Sequence, residues 1–251
     1  YMSFICTDSK GRIIDIVQNR LLSHLKSYFF SYTKGARDNV RTICIDMYSP
    51  YIELIRSCFP NAEIITDRFH VIQLISRSLN RTRIKVMKEH PKMQNKLKKY
   101  WKLILKSNDD LDTENHRRFK CFNYHMTEAQ VVSELLRIDS ELESTYWYYQ
   151  EFLRNFRKRN IERCKELIHN PNKDLSETML TTIKTCKVQE KYIVNSMRYS
   201  YSNGVIEGTN NLIKVLKRIA FGYRSYDNFR NRILLVANSL IVLDQNRVAK
   251  K

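Results

Sequence analysis

Glu207 is the only carboxylate in the stretch Tyr201-Ser-Asn-Gly-Val-Ile-Glu-Gly-Thr-Asn-Asn-Leu-Ile-Lys-Val-Leu-Lys-Arg218, which is otherwise rich in amides and cations. On a helix, Glu207, Asn211, Lys214 and Arg218 share one face, and Ile206, Ile213, Leu216 and Ala220 take the other. The polar stripe suits phosphate. An acid among these cations repels the backbone that its neighbours attract, an arrangement that makes sense where the acid holds a divalent metal ion. Asp46 and Asp67, each ending a short apolar run, are its partners from elsewhere in the chain. Carboxylate-held divalent ions activate an attacking hydroxyl and stabilise the leaving oxygen of an in-line phosphoryl transfer. Mg²⁺ (or Mn²⁺) suits such hard oxygen ligands and is usually held by one or two carboxylates plus substrate. The residues point to metal-assisted phosphoryl transfer on nucleic acid.

Each acid also has a plainer reading. Asp46 suits a turn or N-cap acid ahead of the helix that Pro50 opens. Asp67 precedes Arg68-Phe-His-Val71 and suits a cap of the next helix, or an acid behind the metal ligands that His70, three residues on, could orient. Glu207 suits the positive end of a helix dipole, although Ser202-Asn203-Gly204 already offers a cap. With no second histidine at ligand spacing, zinc is not expected.

The elements that must position these acids are legible as patterns. Met2 to Thr7 and Arg12 to Val17 are β-rich runs around the turn Asp8-Ser-Lys-Gly11, which predicts an antiparallel hairpin. Leu21, Leu22, Leu25, Tyr28, Phe29 and Tyr32 recur at helical spacing, followed by a polar loop over 34–39. Short strands over Thr42–Ile45 and Glu63–Thr66, with a helix over Tyr51–Phe59 between them, predict a parallel pair. Asp46 and Asp67 would then emerge side by side at the carboxyl edge, where open α/β sheets place their sites. From Arg68 to about Ser200 the pattern is helical throughout. Leu142, Tyr146, Tyr149, Leu153 and Phe156 form a stripe, Thr127 with Gln130 a capping box, and Pro91, Asn108–Asp110 and 170–172 are breaks. Two more helices, Val205–Phe221 and Tyr226–Arg247, close the chain. The expected organisation is an α/β core beginning in residues 1–90, a helical insertion over 91–200, and completion of the core by 201–251.

The 251 residues carry 44 Lys and Arg against 26 Asp and Glu, a formal charge of +18 that implies a polyanionic partner. No apolar run is long enough to span a membrane and no lipidation motif is present, so nucleic acid is preferred to a membrane surface. Arg77 to Lys106 holds eleven cations against Glu89 alone. Arg77, Arg81, Lys85 and Lys99 are candidate DNA contacts there, with a solvated helix face as the alternative. Asn211, Lys214, Lys217, Arg218 and Arg224, with Arg230 and Arg232, make a second basic surface. Tyr223 and Tyr226 could stack on bases there or pack the turn. Six dispersed cysteines without a CxxC pair read as reduced, buried small hydrophobes in a cytoplasmic protein. Because residue 1 is Tyr within a strand-like run, the chain is expected to be a fragment lacking its natural N-terminus.

Four blocks carry a resemblance: Ile45-Asp-Met-Tyr-Ser-Pro-Tyr51, Asn61-Ala-Glu-Ile-Ile-Thr-Asp-Arg-Phe-His-Val71, Ser202-Asn-Gly-Val-Ile-Glu-Gly-Thr-Asn-Asn211 and Lys214-Val-Leu-Lys-Arg-Ile-Ala-Phe-Gly-Tyr-Arg224. In order and spacing the chain resembles the DDE transposases of the ISL-three insertion-sequence family. That resemblance implies a ribonuclease-H-like core interrupted by a large all-helical insertion, with Asp46 as second and Glu207 as third acid of a catalytic, metal-binding triad. Asp67 and His70 belong to the Asp-Arg-Phe-His block outside the triad. The first acid would lie on a strand upstream of residue 1, with Asp8 as its only substitute in this chain. Metal-dependent cleavage and strand transfer of double-stranded DNA, at element ends and target, by a homo-oligomer of the complete protein follow by the same resemblance. The alternatives are a noncatalytic DNA-binding remnant of a transposase, or a helical regulator binding DNA through residues 77–106.

Overall fold

Alternating apolar residues flank the Asp8–Gly11 turn, and the backbone there folds into strands β1 (Phe4–Thr7) and β2 (Ile13–Val17), paired antiparallel with an irregularity at Cys6/Thr7. The computed structural model describes residues 3–220 and 222–248. Met2 and Phe221, at the ends of two predicted elements, lie outside them. Asp8 shapes the turn, accepting the backbone N–H groups of Lys10 and Arg12 at 2.9 Å each, and Gly11 takes the positive φ (86°) that the reversal needs.

Helix α1 (Leu22–Phe30) follows. The expected loop over 34–39 is instead a short helix, α2 (Lys34–Asp38), because the Thr33 side chain caps Ala36 N–H and Lys34 pairs with Asp38 one turn on. Strand β3 (Thr42–Ile45), helix α3 (Ser49–Cys58) and strand β4 (Glu63–Thr66) form the predicted crossover unit, with β3 and β4 parallel and Ile45 opposite Thr66.

The chain divides into two compact units, one made of 1–67 with 201–251 and the other of Arg68–Ser200. The second unit holds α4 (Arg68–Glu89), α5 (Gln94–Lys99), α6 (Trp101–Leu105), β5 (Arg117–Arg118), β6 (His125–Met126), α7 (Glu128–Leu136), α8 (Ser140–Arg157), α9 (Ile161–His169), α10 (Glu177–Val188) and α11 (Glu190–Arg198). Its core is dominated by α8, whose Leu142, Tyr146, Tyr149, Leu153 and Phe156 are buried as their spacing predicts. The capping box at α7 is complete: Thr127 N–H donates to Gln130 at 2.9 Å and Gln130 N–H to the Thr127 hydroxyl at 3.2 Å. The β5–β6 hairpin departs from the all-helical expectation. Two-residue strands are too short to show alternation, and the turn between them relies on a positive φ (76°) at Cys121 rather than on glycine.

The first unit is completed by α12 (Gly204–Ile219) and α13 (Tyr226–Val248). Leu216 of α12 and Ile233 and Ala237 of α13 pack with Ile13 and Ile16 of β2. Asn238 gives its side-chain amide to β2 as a neighbouring strand would, accepting Ile13 N–H at 2.9 Å and donating to Ile13 C=O at 3.1 Å. A second cluster joins Val17, Leu25, Leu54 and Cys58.

All six cysteines are free thiols. Cys58, Cys164 and Cys186 are buried as expected and Cys6 and Cys44 partly so, whereas Cys121 is exposed on the hairpin turn, its neighbours Phe119 and Phe122 filling the interior in its place.

Candidate active site

The parallel pairing of β3 and β4 fixes the first part of the site. Asp46 and Asp67 each follow the last residue of a strand, and Asp67 N–H extends the ladder to Ile45 C=O at 2.8 Å. The two acids therefore leave the same sheet edge. Their environments differ: Asp46 is exposed, whereas Asp67 is 2% exposed. Both raise the thiol pKa of Cys44 on β3, which is pushed up to about 12 by burial first and by Asp67 and Asp46 after it.

Asn203, at the start of α12, ties the edge together. Its backbone N–H donates to Asp67 Oδ1 at 3.0 Å and its side-chain amide to Asp46 Oδ1 at 2.8 Å. Its carbonyl accepts Glu207 N–H at 3.1 Å, the first-turn bond of the helix that carries the third candidate acid. Asn203 occupies the N-cap position yet makes no side-chain cap to its own helix, because its amide is turned to Asp46. The expectation that Ser202-Asn203-Gly204 simply caps the helix is corrected accordingly. Sequence reasoning passed over Asn203 as a bridge because Asn before Gly is a commonplace helix start.

Glu207, Asn211, Lys214, Lys217 and Arg218 are exposed along α12, while Leu216 is buried and Ile206, Ile213 and Ala220 are partly covered, so the predicted two-faced helix forms. Arg224 is exposed in the following loop. Arg230 does not join this basic surface. Its guanidinium pairs with Asp15 on β2, with Nε at 2.8 Å, and Tyr28 donates to the other Asp15 oxygen at 2.7 Å. Desolvation opposes ionisation of Asp15, but the bonds from Tyr28, Arg230 and Ile16 N–H outweigh it and hold the carboxyl below its ordinary range. Tyr223 stacks on Phe229 with centroids 4.5 Å apart and Tyr226 donates to Ile16 C=O at 2.6 Å, so both pack the turn.

Asp8 is engaged in its own turn, its second oxygen paired with Arg12 Nε at 2.8 Å. In the other unit, His70 sits half-buried in the first turn of α4, edge-on to Phe69. Arg77, Arg81 and Lys85 are exposed on α4 and Lys99 on α5, with Lys85 paired to Glu141 at 2.8 Å.

Among the described residues no three His, Cys, Asp or Glu side chains form a group that could hold a metal ion. Asp46 and Glu207, two solvent-reachable carboxylates tied to one asparagine, fit a hard cation that takes its remaining ligands from substrate and water. The arrangement otherwise offers exposed cations and amides running along the helix away from these acids.

A family model described as a transposase, of the DDE ISL-three type, matches residues 1–233. The chain belongs to that transposase family. Over 235 residues it is 24% identical to the transposase for insertion sequence element IS1001 of Bordetella parapertussis, covering 90% of this chain and 54% of that protein. Over 120 residues it is 38% identical to a Lactococcus lactis subsp. lactis protein named an ATP-dependent protease, covering 48% of this chain and 38% of that one. The chain thus spans about half or less of the length of the curated relatives it matches. No solved structure matches it. No helix among the described residues is long and apolar enough to cross a membrane.

Proposed function

We propose that this chain is the catalytic part of an insertion-sequence transposase, acting on double-stranded DNA in the cytoplasm to cleave at element ends and join the freed 3′ hydroxyl to target DNA. The observation that carries this reading is Asn203, which links the Asp46 strand end to the first turn of the Glu207 helix within a chain of this family. The core is ribonuclease-H-like, with a helical insertion separating its strands from α12. Its first acid lies on a strand upstream of residue 1, since Asp8 is engaged in its turn.

Asp46 and Glu207 would hold Mg²⁺ or Mn²⁺, which when bound supplies Lewis-acid stabilisation of charge on the transferring phosphoryl group. Asn203 orients Asp46 through its amide, and the buried Asp67 fixes Asn203 through its backbone N–H. Asn211, Lys214, Lys217, Arg218 and Arg224 bind flanking phosphates, and the complete protein works as a homo-oligomer on paired ends.

Mg²⁺- or Mn²⁺-dependent nicking of DNA bearing the element ends tests this, comparing the chain with a form extended upstream by one strand. Nicking by the extended form that disappears in Asp46→Asn and Glu207→Gln, with DNA binding retained, is the expected result. Nicking that survives Asp46→Asn would remove that residue from the site. The second reading, a noncatalytic DNA-binding remnant, draws on the lack of a three-ligand group among the described residues. It predicts salt-sensitive binding with no nicking in either form.

A further inference from the structure

The β5–β6 hairpin is built to turn cations outward. Arg118 faces His125 across the hairpin and both are exposed, while the alternate pair, Arg117 and Met126, faces the other way: Met126 is buried and Arg117 pairs with Glu128. In the connecting turn Phe119 and Phe122 are buried against Tyr100, with centroids 5.6 and 5.8 Å away, and Lys120 and Tyr124 are exposed. The Tyr100 hydroxyl donates to Lys120 C=O, and Lys96 lies over the Phe122 ring at 4.7 Å. The hairpin is thus anchored beside α5 and α6, which add the exposed Lys98, Lys99 and Lys102.

The nearby acids are occupied elsewhere. Glu128 takes Lys106 and Arg117, Asp109 takes Arg154, and Asp110 takes Arg157. Among the described residues, Lys98, Lys99, Lys102, Arg118 and Lys120 are left with no carboxylate at ion-pair distance. Five cations on rigidly anchored short elements match the spaced charges of a phosphate backbone. Because the hairpin's phenylalanines point inward, it offers no row of rings on which successive bases of a single strand could stack.

We infer that the β5–β6 hairpin together with α5 and α6 forms a double-stranded DNA-binding surface that grips phosphates without reading bases. This deepens the transposase reading and rests on DNA being the partner.

The test is fluorescence anisotropy of the whole chain on a labelled duplex across a salt series. Lys98→Gln, Lys99→Gln, Arg118→Gln and Lys120→Gln combined should flatten the slope of log affinity against log salt by roughly 3 to 4, about 0.9 for each lost phosphate contact. A charge-matched control, Lys158→Gln, Lys184→Gln, Lys187→Gln and Lys191→Gln, should keep the parent slope. An equal loss in the control would make net charge the cause and overturn the surface. Parent-like binding by the first variant would overturn it too while leaving DNA as partner, whereas no salt-dependent binding by the parent would remove the transposase reading itself. Tighter binding of a single strand of equal length would overturn the duplex assignment. On the unsubstituted chain, where folding is not in question, duplex should shield Lys98, Lys99 and Lys120 from acetylation more than the four control lysines. Equal shielding counts against the proposal.

Discussion

The Arg68–Ser200 unit buries Tyr146, Phe152 and Phe156 almost completely, whereas the other unit divides its interior between a cluster around Ile13, Ile16, Leu216, Ile233 and Ala237 and another around Val17, Leu25, Leu54 and Cys58. Helix starts differ in the same direction. Thr127, Asp139, Asn160 and Ser176 cap α7, α8, α9 and α10 in turn, but α1, α3 and α12 begin without a side-chain cap. Acids differ too: Glu128 is held between Lys106 and Arg117, while Asp46 and Glu207 are exposed. Each aromatic of the first kind buries roughly 150–250 Å². The difference teaches that polar groups that would stabilise local structure in one unit are directed, in the other, to a sheet edge where chemistry can occur. Sites of this kind are drawn from the less stable parts of a fold.

The heaviest blow to this contrast would come from Phe152→Ala, expected to cost about 3–5 kcal/mol through loss of contacts and the cavity left behind. Urea unfolding measures it, and hydrogen exchange should place α8 among the slowest amides; α12 amides exchanging as slowly would erase the contrast. Next is Asp15→Asn, which leaves Arg230 and Tyr28 around a neutral group and should cost about 1–3 kcal/mol at neutral pH. Because the folded carboxyl is held below its unfolded value of about 3.9, this stabilisation is present above that pH and is lost as pH falls through the lowered value. The gap between native chain and variant should therefore close on acidification, and a gap that stays constant would assign the loss to packing. Thr127→Ala removes one half of the capping box and should lower stability by about 1 kcal/mol in thermal melts. The smallest stability effect belongs to Asn203→Ala, about 1 kcal/mol or less. Its nicking by the upstream-extended form should nonetheless fall sharply, and unchanged nicking would show that the bridge to Asp46 is dispensable.

Where one physical rule dominates, the chain was readable. Apolar runs ended by Asp46 and Asp67 gave the bounds of β3 and β4 to the residue, since buried parallel strands tolerate little else. The stripe on α8 and the two faces of α12 follow from helical periodicity in the same way. The Lys34–Asp38 helix was hidden because its single turn is stabilised by one cap and one ion pair, without a hydrophobic face. The β5–β6 hairpin escaped because its shape comes from Phe119 and Phe122 meeting Tyr100, a contact between residues about twenty positions apart. Asn203 was legible as a residue but not as a bridge. Its partners, Asp46 and Asp67, are 157 and 136 positions away, and no local pattern records such a pairing.

Asn238 has a consequence for how this chain can associate with others. An unpaired strand edge is a template for another protein's backbone, the usual start of domain swapping and fibrillar aggregation. By occupying both hydrogen-bonding groups of Ile13, the amide of α13 stands where such a strand would have to enter β2. A single side chain thereby acts as a guard against sheet extension on that side, and its removal would be felt first as a loss of solubility.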